Sequence, residues 1–122
     1  MDLELYAERL EGDVELMREL ASLYITEYPG QLNELRLAVS GANARRLRMA
    51  AHAIVGTATN FSAPAAARAA RVLEVMGESG DLSKSEAAAE VLAAELHRLH
   101  LALAAFLEKL ATKDVETQGL TE

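Results

Sequence analysis

The chain has 122 residues and a formal charge of −7; 51% of its residues are apolar, 25% are charged and only 4% are aromatic. That length makes one domain with room for a packed core. An apolar fraction dominated by Ala and Leu favours closely packed helices over a sheet. The absence of cysteine excludes disulfides, thiolate metal sites and cysteine nucleophiles. The acidic balance speaks against nucleic acid as a general partner. No apolar run is long enough to span a bilayer, so no membrane partner is expected. Met1-Asp2-Leu3-Glu4 opens without the basic and apolar regions of a signal peptide. These features describe an acidic, all-helical cytoplasmic domain.

In chain order, Leu3, Tyr6 and Leu10 space a short first helix that ends around Glu11-Gly12. Asp13 is an N-cap for the next, with Glu15 and Glu19 set against the positive end of its dipole. Its apolar stripe runs from Leu16, Met17, Leu20, Leu23 and Tyr24 through Tyr28, Leu32, Leu35 and Val39. Tyr28-Pro29-Gly30 interrupts it, either as a kink or as a break between two stacked helices. Ser40-Gly41-Ala42 marks a stop, and Asn43 caps a third long segment that ends near Asn60-Phe61.

Ser62 is then expected to cap the following helix, with Pro64 in its first turn. Ala66, Ala69, Ala70, Leu73 and Met76 give that helix a face of small residues, which lets helix axes approach closely. Gly77-Glu78-Ser79-Gly80-Asp81 reads as a loop, and Ser83-x-x-Glu86 has the form of a capping box. The last helix carries a seam of Leu92, Leu96, Leu99, Leu103, Phe106 and Leu110. Periodicity stops after Ala111, so the sequence divides into a bundle over 1–111 and a flexible tail over 112–122. Short loops between long helices predict an all-α, antiparallel up-down four-helix bundle with a short N-terminal helix.

The third long segment holds the most informative residues. Leu47, Ala50, Ala51, Ile54, Ala58 and Phe61 share one arc at helical spacing, and His52 projects roughly 140° away from Leu47, toward solvent. Gly56 lies one turn beyond His52 on the exposed face. Glycine costs about 1 kcal/mol in a helix interior, so it asks for a reason. The reason that fits is clearance for another protein's surface to reach the imidazole. Arg45, Arg48, Met49, Val55 and Thr59 share that face. Arg48, one turn before His52, is placed to offset anionic charge, while Met49 and Val55 supply the apolar area of a modest interface. Thr57 turns more toward a neighbouring helix.

Ala51-His52-x-Ile54-x-Gly56-Thr57-x(4)-Ser62-Ala63 resembles the signature of histidine-containing phosphotransfer (HPt) domains, approximately A-H-x-L-K-G-S-x(4)-G-A. Upstream, Gly12-Asp13-x-Glu15-Leu16-x-x-Glu19-Leu20 and Glu27-Tyr28-Pro29 are similar to the family's opening helix. Downstream, Ala63-x-x-Ala66-x(3)-Ala70-x-x-Leu73-Glu74 is similar to its next segment, and the likeness spans about residues 3 to 110. The resemblance implies a phosphorelay intermediate in which His52 accepts a phosphoryl group from a receiver-domain aspartate and passes it to another. It also implies response-regulator receiver domains and a hybrid sensor histidine kinase as partners. Neutral imidazole is nucleophilic at physiological pH without an adjacent base. The chain has no glycine-rich phosphate loop and no Asp pair near His52 in sequence, so no cofactor is expected here and the metal site belongs to the partner receiver.

Two positions depart from the family pattern. Val55 stands where lysine is usual, and Ser62 where glycine is common. The first leaves the acceptor in place but removes a charge that would support phosphohistidine. An alternative is therefore a phosphorylation-independent module that binds a receiver or kinase and has lost transfer. His97 and His100, three apart on the last helix, are read as surface and boundary residues and not as a metal pair, because no third ligand shares their face. A monomer that stands alone as a protein is the expectation.

Overall fold

Three short polar side chains set where the first helices begin. Asp2 accepts a hydrogen bond from the Leu5 amide, Asp13 from Leu16 and Asn43 from Arg46, each at 3.0 Å. Each satisfies one of the amides that a helix start leaves without a partner. They open α1 (Leu3–Arg9), α2 (Val14–Ser40) and α3 (Ala44–Asn60). Two further helices follow, α4 (Pro64–Ser79) and α5 (Ser85–Leu120). The computed structural model describes the backbone of residues 1–120 and the side chains of residues 1–112, and these contain no strand.

Helices α1, α2 and α3 end alike. After α3, the Ala63 amide donates to the Ala58 carbonyl at 2.9 Å and Ser62 to Thr59 at 3.0 Å; Gly12 and Asn43 make the equivalent bonds after α1 and α2. This is the Schellman pattern, whose turning residue must be left-handed. Here that residue is Glu11, Ala42 or Ser62, with φ of 53°, 49° and 52°. Ser62 is therefore not the expected cap of α4. The cap position is held by Ala63, with no side-chain bond, and Pro64 fills the first turn.

Helix α2 is continuous through Pro29, which decides between kink and break. The ring removes one amide bond, but the apolar stripe stays in phase on both sides: Met17, Ala21 and Tyr24 before it and Leu35 and Ala38 after it are all buried. Packing along the stripe holds the helix together across the defect.

The four long helices pack in ring order, α2 on α3, α3 on α4, α4 on α5 and α5 on α2. This is the expected up-down bundle. Its core is filled by Leu35, Leu47, Ile54, Leu73, Leu92, Leu96 and Leu103. Helix α1 closes one end through Tyr6, whose ring packs on Phe61 and Phe106 and whose hydroxyl donates to the Met17 carbonyl at 2.8 Å. Burial pushes its phenol up to about 12. Tyr24 likewise donates to the Leu96 carbonyl at 3.0 Å, tying α2 to α5.

Three boundaries differ from the sequence expectation. Gly77 lies inside α4, and that helix ends at Gly80, which takes the left-handed conformation at φ 81°. Ser83 lies two residues before α5 begins and donates its hydroxyl back to Asp81 at 2.7 Å, so it is not the cap of that helix. The apolar seam of α5 fades after Leu110, yet the helical backbone runs on to Leu120. The side chains of most of the segment read as a tail, 112–122, lie outside the described residues. Among the described residues, no helix is long and apolar enough to cross a membrane.

Candidate functional site

Helix α3 turns Leu47, Ala51, Ile54 and Ala58 into the core and leaves the opposite face to solvent. The His52 side chain stands on that face with 76% of its surface exposed. Arg45, Arg48, Gly56 and Thr59 are exposed with it, and Met49 exposes 58% of its surface. A Cβ added at Gly56 would meet nothing within 4 Å. Nothing inside the fold requires glycine there, and its missing side chain leaves the exposed face open one turn from the imidazole. Val55 departs from expectation: it is half-buried and packs against the core instead of adding to the exposed apolar face. Thr57 does turn inward, accepting a hydrogen bond from Gln31 of α2 at 3.3 Å.

The ring meets solvent at one edge. At the other, Nδ1 is hydrogen-bonded to Oε2 of Glu74, on α4, a carboxylate with 3% of its side chain exposed. The second oxygen, Oε1, accepts from Nη1 of Arg71. Burial alone would raise the Glu74 carboxyl, but the bonds from His52 and Arg71 outweigh it and hold it below the usual carboxylate range. An ionised carboxylate has no proton to give, so the shared hydrogen belongs to the imidazole Nδ1. That choice of tautomer leaves the lone pair on Nε2, the nitrogen that faces outward. The geometry supplies a nucleophile with a fixed orientation.

Close approach of α3 and α4 makes this contact possible. A Cβ added at Gly77 would lie 2.7 Å from the Arg48 amide nitrogen and 2.8 Å from the Ala44 carbonyl oxygen, both backbone atoms. Ala66 and Ala70 on α4, with Ala51 and Ala58 on α3, are buried in the same bundle core. The face of small residues read from the sequence is therefore the seam that brings α4 to the histidine.

Charge is sharply segregated around this seam. No Asp or Glu occurs between Glu34 and Glu74, while Arg36, Arg45, Arg46, Arg48, Arg68 and Arg71 all fall in that interval. Arg46 is held by Glu34 at 2.5 and 3.0 Å, and Arg36 by Glu90 at 3.5 Å. Arg45, Arg48 and Arg68 are exposed and form no ion pair among the described residues. An acidic protein thus presents a basic face beside its exposed histidine.

Sequence reading missed Glu74 and Arg71 as site residues. Glu74 follows Leu73 at the edge of α4's buried face, where a carboxylate requires a partner. The acid-free interval that ends at it was the available signal. His97 and His100 stack with ring centres 6.0 Å apart, His100 also lying 5.2 Å from Tyr28. No group of three metal-ligating side chains occurs among the described residues. A cleft of about 530 Å³ between α1, α2 and α3, lined by Leu20, Tyr24, Tyr28 and Phe61 among others, does not include His52. The histidine therefore stands on an open helical face, accessible to a macromolecule.

A helical bundle that displays one oriented imidazole, with no phosphate-binding loop beside it, defines the histidine phosphotransfer class. The model of the Hpt domain family matches residues 19–113, and the chain belongs to that family. Its fold is similar to the crystal structure of histidine-containing phosphotransfer protein B (HptB) from Pseudomonas aeruginosa PAO1. The TM-score is 0.84 at 21% identity, over 89% of this chain and 95% of that one. No curated protein sequence matches.

Proposed function

We propose that this protein is a phosphoryl carrier between receiver domains, with His52 as the acceptor. In the forward step, Nε2 attacks the phosphorus of a receiver aspartyl phosphate. The P–N bond forms as the P–O bond breaks, and the aspartate leaves as a carboxylate. Attack by a neutral imidazole places positive charge on the ring, and the Nδ1 hydrogen carries part of it toward Glu74. A preoriented acceptor for that developing charge favours the transfer in both directions. The metal that stabilises the moving phosphoryl group is assigned to the receiver, in keeping with a chain that needs only an exposed nitrogen. A hybrid sensor kinase as the upstream source, a monomeric state and a cytoplasmic setting complete the reading.

The observation that carries this proposal is the Glu74–His52 bond, which fixes the tautomer of an otherwise solvent-exposed ring. On the docking face, Gly56 gives clearance, Met49 gives apolar contact, and Arg45, Arg48 and Thr59 form the polar surround, with half-buried Val55 at its edge.

The test mixes a ³²P-labelled receiver with this protein and follows the label. Wild type is expected to acquire an acid-labile, base-stable label that His52→Gln lacks and Glu74→Gln acquires more slowly. Failure of wild type to take label from any receiver of the source organism would refute the carrier role. Receiver binding that survives His52→Ala, without label on wild type, would instead favour the interaction-only alternative raised by Val55.

A further inference from the structure

We propose that Arg71 is a positioning residue for the phosphoacceptor, holding Glu74 and balancing its charge in place of the lysine missing at Val55. The inference rests on the reading of His52 as acceptor.

A carboxylate with 3% of its side chain exposed needs a compensating cation, because a buried charge left unpaired is strongly destabilising. A neutral His52 supplies a hydrogen bond but no charge. Among the described residues, Arg71 is the cation that pairs with Glu74, on the oxygen opposite the imidazole. It lies three residues earlier on the same helix, a spacing that places the two side chains side by side. With 60% of its side chain exposed, Arg71 reaches the carboxylate from the solvent side of the seam.

The balance matters for reactivity. A bare carboxylate on Nδ1 stabilises the imidazolium, whose Nε2 is protonated and cannot attack. A carboxylate neutralised by Arg71 still accepts the Nδ1 hydrogen, but it attracts a second ring proton less strongly. The other charged groups on the two helices of this seam include Arg45 and Arg48 on α3 and Arg68 and Glu78 on α4; Glu34 of α2 is already held by Arg46. Arg48 and Arg45 form no ion pair with Glu74.

Val55 fits the substitution of roles. The Gly77 contacts mark Ala44 and Arg48 as the α3 residues facing α4. Val55 follows Arg48 by seven residues and Ala44 by eleven, so it lies on the same flank of the helix. A lysine at 55 would emerge toward α4 and the Glu74 carboxylate. Arg71 approaches the same carboxylate from the other helix.

The experiment compares Arg71→Gln, Arg71→Lys and the double variant Arg71→Gln/Val55→Lys in the full chain. Two readouts are used: the pH profile of phosphotransfer, and the ¹⁵N shifts of the His52 ring in the unphosphorylated protein. Arg71→Gln is expected to move the acid limb of the profile upward by about one pH unit, and to lower transfer at pH 7 several-fold. Its ring shifts should move toward those of imidazolium. Arg71→Lys should stay near wild type, and the double variant should recover most of the loss. Wild-type ring shifts and an unmoved acid limb in Arg71→Gln would overturn the proposal. A double variant no better than Arg71→Gln would overturn the substitution for lysine. If wild type takes no label at all, the carrier reading falls, while the ring shifts still judge Arg71.

Discussion

Replacing Gly77 with alanine adds one methyl group where α4 crosses α3. The new Cβ would lie 2.7 Å from the Arg48 nitrogen and 2.8 Å from both the Ala44 oxygen and the Arg48 Cα. All three are backbone atoms, so no side chain can swing aside. Restoring an ordinary contact of 3.4 Å requires the helices to part by about 0.7 Å, with loss of dispersion along the seam. Overpacking of this kind costs up to about 3 kcal/mol, and the better helix propensity of alanine offsets about 1 kcal/mol. The expected net loss is about 2 kcal/mol, or roughly 6–10 °C in Tm for a domain of this size. Gly56→Ala is the control: its Cβ meets nothing within 4 Å, so propensity acts alone and the variant should gain about 0.5–1 kcal/mol. Thermal and urea unfolding followed by circular dichroism measure both. A Gly77→Ala variant as stable as Gly56→Ala would refute the close approach of α3 and α4.

Other consequences can be checked directly. Ser62 holds a left-handed backbone at φ 52° and buries a hydroxyl with no partner, so Ser62→Gly should raise unfolding free energy by about 1 kcal/mol; a loss on urea titration would count against the strain. Glu74 has its carboxyl lowered on folding, so its contribution is present above the ordinary carboxylate value of about 4.3 and disappears as pH falls through the folded value. Glu74→Gln should accordingly be less stable than wild type at neutral pH, with a gap that closes toward pH 3; a gap independent of pH would contradict this. Neutralising Arg45, Arg48 and Arg68 together should slow association with a receiver about tenfold at low ionic strength and flatten its salt dependence. Stopped-flow rates that ignore both the substitutions and added salt would show that the basic face does not steer docking.

The legible parts of this chain were those decided locally. Asp13 and Asn43 were readable as caps because an N-cap bonds an amide only three residues away. The exposed side of α3, and His52 upon it, followed from a clean apolar arc. What failed depended on backbone sign or on another helix. Ser62 has a cap's chemistry but sits at the left-handed turn one residue too early, and it explains the family's preference for glycine there. Gly77 looked like part of a glycine-rich loop, whereas its use is tertiary, as the point where another backbone passes. The His52–Glu74 pair joins residues 22 apart on separate helices. Its existence depends on the rotation of α4 against α3, which neither helix's own periodicity specifies.

That dependence links the seam to the chemistry. A hydrogen bond tolerates little change in length before it weakens, and Glu74 reaches His52 only because small side chains let the two helices come together. Gly77 lies three residues beyond Glu74 on α4, while Arg48 lies four before His52 on α3. The close approach of the two backbones at Gly77 is thus about one turn from the His52–Glu74 bond on both helices. A displacement that the core absorbs at modest energetic cost would still pull the carboxylate off Nδ1. With the tautomer no longer fixed, Nε2 would be protonated in part of the population and unable to attack. Phosphotransfer should therefore decline at smaller seam perturbations than folding does. In Gly77→Ala, assayed well below its Tm, transfer should fall several-fold while the helical signal is unchanged. Unaltered transfer in a destabilised but folded Gly77→Ala would show that Glu74 follows the histidine by its own flexibility, independent of the seam.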